Sequence, residues 1–273
     1  MPEGPEIRLA ADRIARVLVG QPIVAADLLL PRIRRFESRL SGSSVTAVDT
    51  RGKAMLTRFD NGLTLYSHNQ LYGRWYTTRR PTLPKTGRQL RVALHTPTHS
   101  ALLYSASDIE VLTERGLAEH AFLKRVGPDI LDPDLTVDQI VERLRSPTFR
   151  NRALGNIYLD QAFLAGIGNY LRSEILWAAR VNPSAKPAQL SLESANDVAQ
   201  QTLTISRRSY RTRGVTAPPK AARERKARGM TYQQYRFQAF GRDGLDCYGC
   251  GKMIERRTMA SRNLFVCQHC QSC

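Results

Sequence analysis

Four cysteines near the end of this 273-residue chain constrain its fold more than any other feature. Cys247-x2-Cys250 and Cys267-x2-Cys270 are two pairs with sixteen residues between them. Two such knuckles supply four thiolates, the donor set that tetrahedral zinc takes. Four protein thiolates leave no position for water, so one structural zinc ion is expected here, without a catalytic role of its own. All five cysteines lie in the last 27 residues, which argues against a disulfide framework spread over the chain. Cys273 is left over and is expected to be a free thiol. The residues between the knuckles read as a β-hairpin carrying Arg256, Arg257 and Arg262, so the finger presents cations.

The remaining chain is β-rich first and helical afterwards. Pro5 and Glu6 suit the first turn of a helix, and Ile7, Ala11, Ile14 and Leu18 repeat at helical spacing until Gly20. Glu6 admits two roles, a complement to the helix dipole or a member of a site. From Gln21 to Tyr104 the runs are short and β-rich. Val45-Thr46-Ala47-Val48 and Ala54-Met55-Leu56-Thr57 flank Arg51-Gly52-Lys53, and Asp60-Asn61-Gly62 reads as a hairpin turn. Further strands are expected over Gln89 to His95 and Ala101 to Ser105. Close turns between many short strands predict an antiparallel sandwich or barrel.

The texture changes near Lys124-Arg125-Val126-Gly127-Pro128-Asp129. Residues 125–133 are expected to link an N-terminal β-sandwich domain (1–124) to a helical domain (134–238), with the zinc finger over 239–273. Thr136 and Gln139 have capping-box spacing. Asp160 to Trp177 reads as a helix, a tight Gly166-Ile167-Gly168-Asn169 turn and a second helix, and another helix runs from Ser191 to about Arg207. Residues 213–230 are basic without a clear apolar face, which fits either a mobile loop that closes over DNA or a plain solvated one. The fold class is α+β, with no β-α alternation to suggest a parallel sheet.

Charge narrows the function. The chain carries 41 Lys+Arg against 24 Asp+Glu, a formal net charge of +17. That excess points to a polyanion, above all nucleic acid. No run approaches the ~20 apolar residues a membrane-spanning helix needs. No signal peptide is visible, and a reducing cytosol, in association with the nucleoid, is the expected location.

The start, Met1-Pro2-Glu3-Gly4-Pro5-Glu6, carries the chemistry. A small second residue lets the initiator Met be removed, leaving a secondary α-amine at Pro2. An α-amine titrates near pH ~8 and is partly neutral and nucleophilic at physiological pH. Glu3 sits beside it as a carboxyl group suited to proton transfer. Gly166-Ile167-Gly168-Asn169 is either helix packing or a phosphate site at a helix start. Gln70-Leu71-Tyr72, followed by Gly73, is unremarkable in a strand, but in a loop facing DNA it has the character of a wedge that fills the gap left by an extruded base.

Together these stretches resemble the formamidopyrimidine-DNA glycosylase/endonuclease VIII family over nearly the whole chain. The likeness rests on Pro-Glu-Gly-Pro-Glu, Thr50-Arg51-Gly52-Lys53-Ala54, Tyr66-Ser67-His68-Asn69-Gln70-Leu71-Tyr72-Gly73 and Tyr104-Ser105-Ala106-Ser107-Asp108. It continues through Arg125-Val126-Gly127-Pro128-Asp129, Asp160 to Gly166, and the zinc finger. Gln-Leu-Tyr sets the chain on the endonuclease VIII branch. The resemblance implies a helix-two-turns-helix motif in the helical domain and a monomeric, bifunctional DNA glycosylase and AP lyase of base excision repair. Its partner is damaged DNA, from which it excises oxidised pyrimidines and then cuts the strand by β,δ-elimination. By the same resemblance Pro2 is the Schiff-base nucleophile and Glu3 the acid that opens the sugar ring. Lys53 is the proton donor in β-elimination and Arg262 that in δ-elimination. Gln70, Leu71, Tyr72, Arg125 and Asn169 contact DNA, Cys247, Cys250, Cys267 and Cys270 hold zinc, and Glu6 and Glu174 rank below them as helpers. Three competing readings are oxidised purines as substrate, a DNA-binding protein that has lost catalysis, and a zinc-ribbon protein of the RNA machinery. Gln70-Leu71-Tyr72 argues against the first, the joint presence of Pro2, Glu3, Lys53 and Arg262 against the second, and the N-terminus against the third.

Overall fold

The computed structural model of the protein describes residues 2–272. Met1, on whose removal the Pro2 amine depends, and Cys273, the expected free thiol, lie outside them. The chain divides into a unit ending at Arg125 and a unit beginning at Val126.

In the first unit, α1 (Gly4–Leu18) places Pro5 and Glu6 in its first turn and buries Ile7, Ala11, Ile14 and Leu18 on one face. The Glu6 carboxylate accepts the main-chain N–H of Glu3 at 2.9 Å, half of a capping box. Strands β1 (Ala25–Leu28), β2 (Val45–Arg51), β3 (Ala54–Phe59), β4 (Thr64–His68), β5 (Arg74–Arg79), β6 (Leu90–His95), β7 (His99–Tyr104) and β8 (Asp108–Leu112) follow. Among the described residues of this unit they form two four-stranded antiparallel sheets, ordered β1-β6-β7-β5 and β2-β3-β4-β8. Short helices α2 (Pro31–Arg34), α3 (Glu37–Leu40), α4 (Glu114–Glu119) and α5 (Ala121–Arg125) complete it. Helix α1 and both sheets share one core that includes Ile7, Leu18, Met55, Leu65, Leu94 and Leu103. Each side chain buried there contributes about 1.5–3 kcal/mol.

Two features of this topology position the site. Val19, just past α1, bridges Val45 at the start of β2, and α1 packs along that strand. The C-terminus of α1 is thereby fixed against the start of β2, the strand that ends in the turn through Gly52 and Lys53. Segments 69–73 and 105–107 both cross from one sheet to the other, since β4 pairs with β8 and β5 with β7. They run side by side, at the same end as the Lys53 turn, because Ala54 pairs with His68 and His68 with Asp108.

The second unit contains α6 (Val137–Arg145), α7 (Leu154–Ile157), α8 (Asn169–Ala178), α9 (Leu192–Arg211), α10 (Pro219–Ala227) and α11 (Tyr232–Tyr235). It closes with the hairpin β9 (Glu255–Met259) and β10 (Arg262–Val266). Thr136 and Gln139 form the expected capping box at the start of α6. Leu144, Phe163, Ile167, Leu171, Ile175 and Val198 belong to the core between the helices. The expected α+β architecture is therefore present: antiparallel sheets, then a helical domain, then a four-cysteine module. Among the described residues no helix is long and apolar enough to cross a membrane.

Three stretches differ from the sequence expectation. No helix forms between Asp160 and Gly166. Asp160 Oδ1 accepts the Ala162 N–H, a turn-forming bond, while Gly127 and Ala165 hydrogen-bond to Gln161 and Pro128. Those same bonds draw residues 126–130 of the expected linker into the second unit, with Ile130 fully buried. Within 213–230, α10 replaces the expected loop.

Candidate functional site

At the start of α1, Glu3 is 3 % exposed and its main chain is fixed by Glu6. The neighbouring Pro2 is partly exposed. Gly52 adopts φ +61°, a value that glycine reaches at low cost, and this tight turn presents the half-buried Lys53. His68 lies beside it in the next strand. Burial holds the His68 imidazole below its ordinary pKa, against the pull of Asp108 and with the help of Lys53. Its Nδ1 accepts the Gln70 N–H at 3.2 Å, as a neutral ring can.

Leu71 and Tyr72 are 56 % and 68 % exposed, so they are not part of the β core. They project from the 69–73 crossover, which closes through a Gly73 N–H to Asn69 carbonyl bond of 2.7 Å. A Cβ on Gly73 would stand 2.6 Å from that carbonyl oxygen, so only glycine fits. Arg125, at the end of α5, is exposed.

In the second unit the structure gathers Asn169, Arg262 and a residue that sequence reading missed. Arg172, on α8, is completely buried. Its guanidinium donates to the carbonyls of Gly155, Met259 and Asn263 and to Asn169 Oδ1, at 2.7–3.2 Å. The Asn169 amide donates to the Asn263 carbonyl at 2.6 Å. The Asn169 side chain thus buttresses the hairpin through one hydrogen of its NH2 group, at the start of α8. The hairpin turns through Ala260 and Ser261, both at positive φ, +53° and +56°. Such a turn favours Asn-Gly, and two residues with a Cβ strain it. Arg172 brackets this turn from both sides, and the exposed Arg262 leaves it directly.

Glu174 is also buried, at 1 % exposure. Its carboxylate accepts the N–H groups of Gln238, Ala239 and Phe240 and the hydroxyl of Thr216, at 2.6–3.1 Å. It organises the strand of chain that leads into the first cysteine knuckle. Helix α10 is fastened to the same region. Arg225 donates to Gln238 Oε1 at 2.7 Å, and its guanidinium lies 3.4 Å from the centre of the Tyr248 ring, with Arg242 also 3.6 Å from that centre.

The four sulfurs of Cys247, Cys250, Cys267 and Cys270 all lie within 4.8 Å of one another, with 3.9 and 3.4 Å for two of the pairs. A ZnS4 tetrahedron with 2.3 Å bonds has edges of about 3.8 Å, so the residues fit the ion. Burial pushes the Cys247 thiol up, but donation from the Gly249 N–H and the Trp177 indole outweighs it and brings the pKa to about 7. Trp177 Nε1 reaches the Cys247 sulfur at 3.2 Å.

A serine–histidine–aspartate contact in the first unit is structural. Ser100 and Asp27 flank His95 at 2.7 and 3.1 Å, but Ser100 is 3 % exposed on a sheet face and has no access for a substrate.

Comparison with known proteins bears on the family and the fold. The family model of the formamidopyrimidine-DNA glycosylase N-terminal domain matches residues 1–107, and that of the formamidopyrimidine-DNA glycosylase H2TH domain matches residues 126–218. Endonuclease 8 of Escherichia coli O17:K52:H18 is 49 % identical over 271 residues, 99 % of this chain and 100 % of the relative. Endonuclease 8 of Salmonella agona is likewise 49 % identical over the same span. Among solved structures, Lactococcus lactis Fpg (MutM) bound to DNA containing N7-benzyl-Fapy-dG superimposes with a TM-score of 0.82 at 20 % identity, covering 99 % of both chains. MutM bound to DNA containing carbocyclic 8-oxo-G gives 0.81 at 21 % identity, again over 99 % of both. At those identities the solved structures establish the fold.

Proposed function

The chain belongs to the formamidopyrimidine-DNA glycosylase family and is a DNA glycosylase and AP lyase of base excision repair; we propose that it excises oxidised pyrimidines through Pro2 and cuts the strand by β,δ-elimination. In this scheme the Pro2 amine attacks C1′ of the damaged nucleotide. The N-glycosidic bond breaks, the base leaves, and Glu3 protonates the ring oxygen as the sugar opens to a Schiff base. Loss of the C2′ proton expels the 3′ phosphate, with Lys53 as proton donor. A second elimination expels the 5′ phosphate, with Arg262 as proton donor. Arg125 and Asn169, with the backbone at the start of α8, hold phosphates, as cations and helix starts do. Cys247, Cys250, Cys267 and Cys270 would hold one zinc ion, which fixes the two knuckles and with them the hairpin bearing Arg262.

One observation carries the reading. The Gly52-Lys53 turn and the exposed Leu71-Tyr72 wedge lie at one end of the sheet, since Ala54 pairs with His68, and the buried Glu3 stands at the start of α1; this supports a lyase cation and a wedge that address one extruded nucleotide. The oxidised-pyrimidine preference is supported by Gln70-Leu71-Tyr72 and by the full-length likeness to proteins called endonuclease 8. The test is borohydride reduction during reaction with duplexes containing an oxidised pyrimidine or an abasic site. Peptide mapping is expected to place the adduct on residue 2, and retention of Met1 is expected to abolish it. An adduct on another residue, or faster release of 8-oxoguanine than of 5-hydroxycytosine, would overturn the corresponding half of the proposal.

A further inference from the structure

The two crossover segments fix more than the position of the wedge. Gln70 has φ +50° and Ser105, in the facing segment, +54°, conformations that residues with a Cβ rarely hold. The segments are packed together, since a Cβ on Gly73 would lie 3.0 Å from the Ala106 Cβ. Two hydrogen bonds keep Gln70 in place: its N–H donates to His68 Nδ1 at 3.2 Å, and its side-chain Oε1 accepts the Ser107 hydroxyl at 2.8 Å. Ser107 is itself anchored. The Arg32 guanidinium donates to the Ser107 carbonyl and, at 3.1 Å, to the Ile109 carbonyl.

A glutamine amide has two unlike ends, an oxygen that only accepts and a nitrogen that only donates. With Oε1 turned toward Ser107, the NH2 group is the end that faces away from that contact and meets a ligand there. We infer that Ser107 is a positioning residue that fixes the polarity of Gln70, so that Gln70 reads the orphaned partner base as a donor alone. This rests on the proposed function, in which the Gln70-Leu71-Tyr72 wedge fills the gap left by the extruded base and so faces the base left without its partner. A donor-only contact takes one acceptor, such as N1 of adenine or O6 of guanine, and ignores the donors beside it. These are the partners of thymine- and cytosine-derived lesions. Released from Ser107, the amide could pair through both ends and would then sense the 6-amino group of adenine.

The experiment measures single-turnover removal of an oxidised pyrimidine placed opposite adenine, purine (no 6-amino group) or 1-deazaadenine (no N1 acceptor). Each rate is divided by that of Gln70→Ala on the same duplex, which cancels differences in duplex pairing. For the wild-type protein the ratio is expected to be equal for adenine and purine and to fall roughly 3- to 10-fold for 1-deazaadenine, the worth of one hydrogen bond. In Ser107→Ala the adenine ratio is expected to exceed the purine ratio by a similar factor. Ser107→Thr, which keeps the hydroxyl, is expected to restore the wild-type pattern. Equal ratios for adenine and purine in folded Ser107→Ala would overturn the role of Ser107 while leaving that of Gln70 intact. A wild-type ratio indifferent to 1-deazaadenine would overturn the reading of Gln70 and this inference with it.

Discussion

Replacing Glu174 by Gln changes one atom in a buried cluster, and its cost follows from the contacts. The carboxylate takes four donors, the N–H groups of Gln238, Ala239 and Phe240 and the Thr216 hydroxyl. If the amide oxygen of Gln replaces Oε1, its NH2 group faces the Gln238 N–H across 2.9 Å, donor against donor. Thr216 can turn its hydroxyl, but a main-chain N–H cannot turn. The Gln238 N–H keeps the amide oxygen at 3.1 Å, so three N–H contacts pass from charged to neutral at about 1 kcal/mol each, and the donor–donor contact adds up to about 2 more. The sum is roughly 3–5 kcal/mol, comparable to removing one partner of a buried ion pair. For a unit of this size that lowers the midpoint by about 10 °C. Trp177 is the sole tryptophan of the second unit, so its emission in a Trp75→Phe background reports that unit's unfolding. The expected outcome is a lowered second-unit transition, with an unchanged first-unit transition followed through Trp75 in a Trp177→Phe background. A shift below about 1 kcal/mol would mean that the carboxylate is not the organiser of residues 238–240.

Truncating Leu71 and Tyr72 together to Ala is expected to slow excision from duplex DNA by roughly 10-fold or more and to matter little on single strands, where no stack is broken. Equal losses on both substrates, with circular dichroism unchanged, would remove the wedge role. Cys247→Ser takes away one ligand and the acceptor of the Trp177 indole. Zinc content is expected to fall, Trp177 emission to change and DNA affinity to weaken, and retention of one zinc per chain at full affinity would refute the four-thiolate site. His68 predicts an acid sensitivity. Its folded pKa lies below the unfolded value, so its contribution to stability is present above about pH 6.5 and is lost as pH falls through the folded pKa. Protonation also ends the Nδ1 acceptor role toward Gln70. The first-unit transition is expected to weaken below pH 6.5 and His68→Asn to flatten that dependence, while an equally steep profile in the variant would place the effect elsewhere.

Legibility varied with the kind of signal each residue sends. The cysteine knuckles were readable because ligand spacing is local, and α1 and α6 because their caps and apolar faces are local too. Arg172 and Glu174 were opaque as to role, since a charged residue in a helix reads as surface until distant carbonyls and amides are seen to enclose it. The stretch 160–166 misled because Phe163, Leu164 and Ile167 mimic a helical face, whereas their backbone is tied to residues 127–130. Helix α10 was hidden because its buried anchor is Arg225 stacked on Tyr248, a contact that no apolar periodicity announces. Of the site, the chemical residues are local motifs, but Ser107 and Arg32 act only through a crossover that the register of both sheets creates.

That crossover has an evolutionary corollary. Strand register is fixed by the paired residues of β4 with β8 and β5 with β7, and the segments 69–73 and 105–107 lie between those pairings. Replacing the exposed side chains at 70–72 leaves the ladders and the core untouched, provided Gly73 is kept. Selection on damage recognition can therefore explore these few positions while folding is held constant. The same separation lets one sandwich host different base-reading tips without inventing a new scaffold.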